Sequence, residues 1–193
     1  MIRMNRTVYT IGHSTHPLET FLRLLEMHAI TTVLDIRRYP GSRHSPQYNA
    51  DALAAALAAR GINYRHEARL GGRRHGHVNG SGNEGWRHPS FRAYADYAST
   101  DPAFAEGLAA LEDDAQRPGA RLAYLCSEQT HYQCHRRIVS DYLLARGWRV
   151  LHIRPDGTLV AHEVTTHASV HGVDVRYPAS PLAEVQLPLP LAI

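Results

Sequence analysis

Two carboxylates, two thiols and a set of histidines and arginines follow short apolar runs in this chain, and together they describe a polar site. Asp35 and Glu128 are the carboxylates. In the hydrolysis of a glycosidic bond such groups stabilise an oxocarbenium-like transition state or activate a water, so both are candidate catalytic residues. Asp35 also stands two positions before Arg37, and a plain ion pair or a loop cap is the competing reading. His13 or His135 can protonate a leaving base. Arg37, Arg38 and Arg136 carry the guanidinium fork that binds phosphate through two parallel hydrogen bonds. Ser14, Cys134 and His135 add polar contacts, and Tyr64 or Trp86 offers a ring for stacking on an extruded base, with packing of the glycine loop as the competing reading for Trp86. Cys126 is either a nucleophilic thiol or a small buried hydrophobe. Cys126, Cys134 and His135 fall one donor short of the usual four-ligand zinc set, so no metal and no other cofactor is expected.

The elements that position these residues alternate in type. Thr7–Ile11 is a β-branched run closed by Gly12, and an apolar-periodic stretch to His28 follows it. Thr31–Ile36 is a second strand, residues 37–49 a Pro/Gly/Ser loop, Ala50–Arg60 an alanine-rich helix stopped by Gly61, and Ile62–Arg65 a third strand. Residues 70–89 hold six glycines with scattered His and Arg and no periodicity, which predicts a long binding loop or lid. Two helices, Pro89–Ala98 and Asp101–Gln116, come next, with Asp101 as N-cap. Arg121–Leu125 is a strand ending at Cys126, Cys134–Arg146 a helix and Trp148–Ile153 the last clear strand. Strands alternating with helices at this spacing predict one α/β domain over residues 1–177, Rossmann-like, with a mostly parallel sheet of about five strands flanked by helices. Ligands of such sheets bind beyond the carboxyl ends of the strands, where the candidate residues cluster. The amino end of the Cys134 helix, with Arg136 beside it, is the expected anion site. Residues 178–193 read as a Pro/Leu-rich flexible tail.

Composition narrows the class. Apolar residues make up 44% and charged residues 20% of 193, which is ordinary globular usage and argues against disorder or a fibrous build. Two cysteines do not make a disulfide framework. No apolar run reaches membrane-spanning length, and Met1–Thr7 lacks the order of a signal peptide, so a cytoplasmic protein without a membrane partner is expected. The net charge of +3 is carried on arginine and gives mild support to an anionic partner such as DNA.

Several motifs occur in order: Tyr9-Thr10-Ile11-Gly12-His13-Ser14, Asp35-Ile36-Arg37, Tyr64, Leu70-Gly71-Gly72, Cys126-Ser127-Glu128 and Cys134-His135-Arg136. In them, from about Val8 to Ile153, the chain resembles domain-of-unknown-function family 488. The resemblance implies a shared site on small prokaryotic-type proteins and names no reaction. The tail residues Gln186, Leu187, Leu189 and Leu191 resemble the short peptide by which bacterial repair proteins dock on the DNA sliding clamp. That resemblance implies the clamp as a partner.

These features favour a DNA-acting hydrolase of the repair type, including a glycosylase that removes a modified base. Three alternatives stay open. One is a metal-dependent nuclease in which Asp35 and Glu128 share a divalent cation with a histidine. Another is an enzyme on a free nucleotide or small anionic metabolite, and the third a non-enzymatic adaptor that docks on the clamp.

Overall fold

A computed structural model describes residues 6–179. Five parallel strands, β1 (Thr7–Gly12), β2 (Thr32–Asp35), β3 (Asn63–His66), β4 (Leu122–Cys126) and β5 (Arg149–Ile153), lie in the order β3-β2-β4-β1-β5. A sixth strand, β6 (Leu159–Ala161), pairs antiparallel with β5. The expected α/β architecture with a mostly parallel sheet is therefore present, one strand larger than expected. All five residues of Leu122-Ala-Tyr-Leu-Cys126 are buried, as a strand covered on both faces requires. The edge strand β3 is Asn-Tyr-Arg-His and largely exposed, and its charged side chains discourage pairing with another chain.

The helices divide between the two faces. α1 (Leu18–Met27) and α2 (Ala50–Ala58) cover one, packing Phe21, Leu25, Leu53 and Leu57 against Tyr9, Ile11, Val33 and Leu125. α3 (Pro89–Thr100), α4 (Pro102–Gln116) and α5 (Arg136–Ala145) cover the other, where Tyr94, Phe104, Leu111 and Val139 meet Val8, Leu34 and Tyr124. Neighbouring residues such as Val8 and Tyr9 thus serve opposite layers, the period-2 alternation of a strand. α1 follows β1 on one face and α5 follows β4 on the other. The loops after these adjacent strands part, and a crevice opens above Gly12 and Cys126, which are paired in the sheet.

The chain beyond Ile153 adds β6 and a hairpin of β7 (Ser169–His171) and β8 (Asp174–Arg176), elements that the weak patterning after Pro155 does not announce. Asp141 on α5 fastens this segment. Its carboxylate accepts hydrogen bonds from Tyr177 Oη at 2.8 Å, from the Thr165 amide at 2.9 Å and from His162 Nε2 at 2.9 Å. His162 Nδ1 lies 3.0 Å from His152 Nε2, and both imidazoles are buried.

Burial, reinforced by the neighbouring His131, His162 and Arg136, lowers the His152 pKa from 6.5 to about 2. The unfolded chain therefore binds a proton in the range where the native one does not. The stabilisation from neutral His152 is complete above 6.5 and is lost as pH falls below it. Chemical denaturation at descending pH should show a decline approaching about 1.4 kcal/mol per pH unit from this residue. In His152→Gln, which keeps a donor toward His162, that part of the slope should vanish.

Candidate functional site

Four loops converge above the carboxyl ends of β1, β2 and β4 around a cleft of about 490 Å³. Its lining includes His13, Ser14, Arg37, Arg38, Tyr39, Ser42, Gly72, Arg73, Cys126, Glu128 and His135. A depression of about 440 Å³ at the opposite end of the sheet, beside Thr31, Asn63 and Ala120, lies where parallel sheets do not bind their ligands. The candidate residues therefore meet at the end that topology favours.

Asp35 ends β2 fully buried, and its carboxylate is occupied. Oδ1 accepts from the Arg37 amide at 3.0 Å and from Arg37 Nε at 2.9 Å, while Oδ2 accepts from Arg37 Nη2 at 2.5 Å and from Tyr64 Oη at 2.8 Å. Arg37 also donates to the Tyr48 carbonyl at 2.8 Å. Burial alone favours a neutral guanidinium, but the Asp35 hydrogen bonds outweigh it and raise the Arg37 pKa. The ion-pair reading of Asp35 is thus the one that the geometry carries, and its effect is to aim Arg37 at the cleft. Tyr64 braces Asp35 and is absent from the cleft lining.

Asp35→Asn should therefore destabilise the fold by about 3 kcal/mol, because it strips the buried guanidinium of its counter-charge. Once a substrate is in hand, it should raise KM more than it lowers kcat. Loss of a catalytic base would do the reverse, with stability retained.

His13 is neutral. Burial lowers its pKa to about 4, Nδ1 donates to the Ser14 carbonyl at 2.9 Å, and Nε2 accepts from Arg37 Nη1 at 3.3 Å. Its ring stacks on Tyr48, with centroids 4.1 Å apart. Ser14 has φ of 46° and Arg73 of 56°, so two of the three described non-glycine residues with positive φ line this cleft. Each left-handed residue costs about 1 kcal/mol, strain that concentrates at functional sites.

The floor is made by the segment after β4. Glu128 Oε2 accepts from Cys126 Sγ at 2.8 Å and from Cys134 Sγ at 3.1 Å. His135 Nδ1 lies 3.8 Å from the first sulfur and 3.7 Å from the second. Burial raises the Cys126 pKa well above the usual thiol range. Burial also opposes ionisation of Glu128, yet hydrogen bonds from the two thiols hold its pKa at about 2. Cys134 is lowered despite its burial, by the Cys126 hydrogen bond and the Arg136 charge.

Three sequence expectations are corrected here. Arg136 is 1% exposed and acts as a girder instead of a cleft residue. It donates to Thr10 Oγ1 at 3.0 Å, to the Glu128 carbonyl at 2.6 Å and from Nε to Cys134 Sγ at 3.4 Å. The amino end of α5 starts later than expected, at Arg136, and two of its first amides are already used, since the Arg137 and Ile138 amides bond to the Cys134 and His135 carbonyls at 3.0 Å each. Trp86 lies in the core against Phe91, Tyr177 and His167 and pins the glycine loop down. Gln186, Leu187, Leu189 and Leu191 lie outside the described residues. Sequence reasoning missed Tyr39, a 62% exposed ring at the rim with Arg38 over its face, and Arg73 inside the glycine loop. The Arg-Arg-Tyr-Pro-Gly stretch after β2 was the available signal for the first.

Residues 17–143 match the family described as Domain of unknown function DUF488. The chain belongs to this family. The span shared with DUF488 runs from the start of α1 into α5 and includes Asp35, Arg37, Cys126, Glu128, Cys134 and His135, while His13 and Ser14 precede it. Neither a curated protein nor a solved structure matches the chain. Among the described residues, no helix is long and apolar enough to cross a membrane.

Proposed function

We propose that this DUF488 protein is a hydrolase acting on a phosphoester of a single nucleotide unit, free or extruded from a DNA strand. The observation that carries this reading is the lining of the cleft. Among the described residues there, Glu128 is the sole carboxylate, at the floor, and Arg37, Arg38 and Arg73 line the same cleft. Three guanidiniums bind and neutralise a phosphate, and the exposed Tyr39 ring at the rim offers a face for a base. A volume of about 490 Å³ suits one nucleotide and is too small for a stacked duplex.

In the reaction, Glu128 takes a proton from a water, the resulting hydroxide oxygen attacks phosphorus, and the bond from phosphorus to the departing oxygen breaks. The departing oxygen takes a proton from solvent and Glu128 gives its own back to solvent, so atoms and charge balance. Arg37, fixed by Asp35, and the rim arginines stabilise the charge that grows on the phosphoryl oxygens. With Asp35 committed to Arg37, the two-carboxylate arrangement of a glycosylase has weaker support, and Tyr39 is the feature that still favours base removal.

The test incubates the purified chain with mononucleotides, short single strands and duplexes carrying modified bases. Products are scored separately as released phosphate or nucleotide, strand breaks and abasic sites. Phosphoester cleavage supports the reading. Abasic sites without strand cleavage would move the assignment to a glycosylase, and no turnover of any substrate would overturn it.

A further inference from the structure

We infer that Cys126, Cys134, His135 and Glu128 form a metal centre on the floor of the cleft, built for a borderline-soft divalent cation of the zinc type. One donor atom from each residue lies within 4.8 Å of all the others. In a tetrahedral zinc site with Zn–S near 2.3 Å and Zn–N near 2.0 Å, sulfur and nitrogen stand about 3.6 Å apart. His135 Nδ1 lies 3.8 and 3.7 Å from the two sulfurs, which is that edge without any movement of the ring. Glu128 Oε2, at 2.8 and 3.1 Å from the sulfurs, lies inside the corresponding edge of about 3.5 Å and by drawing back slightly supplies the fourth donor that the sequence alone did not reveal.

The frame around the donors is rigid. Cys126 ends β4 and Cys134 sits just before α5, both buried, and Arg136 Nε donates to Cys134 Sγ, a contact that favours the thiolate a metal needs. At Gly72 a Cβ would lie 2.9 Å from His135 Nδ1, so glycine keeps the donor nitrogen clear. Two sulfurs and an imidazole select zinc-like ions over magnesium or calcium, which prefer oxygen. Glu128, on the cleft side of the thiols, closes the fourth position until a water displaces it. A second cluster, His131, His152 and His162, does not compete. The rings of His131 and His152 stack 3.6 Å apart with 9° between their planes, and one ion cannot lie in both planes, where the nitrogen lone pairs point.

Catalytic use of this centre rests on the hydrolase reading, whereas its occupancy does not. The test strips the reduced full chain with a chelator and titrates it with Co²⁺, following thiolate-to-cobalt absorption, then displaces the cobalt with Zn²⁺. One equivalent with charge-transfer bands is expected. Cys134→Ser should weaken uptake by about a hundredfold or more, and Gly72→Ala, which crowds only the histidine, by about tenfold with circular dichroism unchanged. Failure of the folded, reduced chain to take up an equivalent, or uptake unchanged in both variants, overturns the centre. Metal uptake without hydrolysis would retire the hydrolase reading and leave the centre standing. Hydrolysis that persists after complete stripping would show that the centre is not the water-activating group.

Discussion

Glu128→Gln is expected to lower kcat by about a hundredfold, the low end for a base whose pKa is held near 2, while leaving KM within a few-fold of the parent and the melting temperature nearly unchanged. The substitution keeps the shape of the side chain and an oxygen that can accept from the Cys126 and Cys134 thiols, whose contacts with Oε2 are 2.8 and 3.1 Å. It removes the basic lone pair to which the attacking water gives its proton, and general-base assistance is worth about 10²–10⁴ in rate. The arginines that bind the phosphate are untouched, because Arg37 is held by Asp35 and Arg38 and Arg73 lie on other loops. Loss confined to kcat is the signature of an interaction made in the transition state. Steady-state kinetics on whichever substrate the screen turns over, with metal content measured on the same samples, decides the matter. Full activity in the variant would remove Glu128 from the chemistry.

Most of the fold was legible because its signals are local. β-branched runs closed by glycine, the alanine-rich α2 and Asp101, which accepts from the Ala103 amide at 2.9 Å, all specify their elements within a few residues. The strands after Ile153 were not legible, because each has only three residues, and β6 and β7 are largely exposed, leaving too little alternation to detect. The same division runs through the site. That polar residues gather beyond the strand ends follows from parallel topology. How they divide the work depends on distances across the chain. Asp35 and Glu128 look equivalent in sequence, yet one is locked onto Arg37 two residues away and the other meets a thiol six residues further on. The fourth metal donor was invisible for the same reason, since a CxE spacing has no meaning until the loop folds back toward Cys134 and His135. Arg136 was misplaced because a helix start looks like an anion site whether its arginine faces the cleft or, as here, turns inward onto Thr10 and the Glu128 carbonyl.

Gly12→Ala should be the most destabilising single-methyl change in the cleft. Gly12 ends β1 opposite Cys126, and a Cβ built there would lie 1.8 Å from the Glu128 carbonyl oxygen, 2.7 Å from its carbon and 2.8 Å from Arg136 Nη2. The conflict is with backbone, so no rotamer change relieves it. The Glu128 carbonyl cannot retreat without breaking its 2.6 Å hydrogen bond from Arg136, whose guanidinium is buried. Overpacking of this kind costs about 3 kcal/mol. For a chain of this length that lowers the melting temperature by roughly 6–12 °C. Gly61→Ala is the control: it has a positive φ of 69° but open space around the new methyl, so it carries only the backbone cost of about 1 kcal/mol. The two variants therefore separate close approach from conformational strain. Because the displaced carbonyl belongs to Glu128, Gly12→Ala should also loosen the floor of the cleft and weaken cobalt uptake, an effect that Gly61→Ala should not share. Equal stability in the two variants would mean that the loop after β4 yields easily, and the rigid frame required by the metal centre would then lose its support.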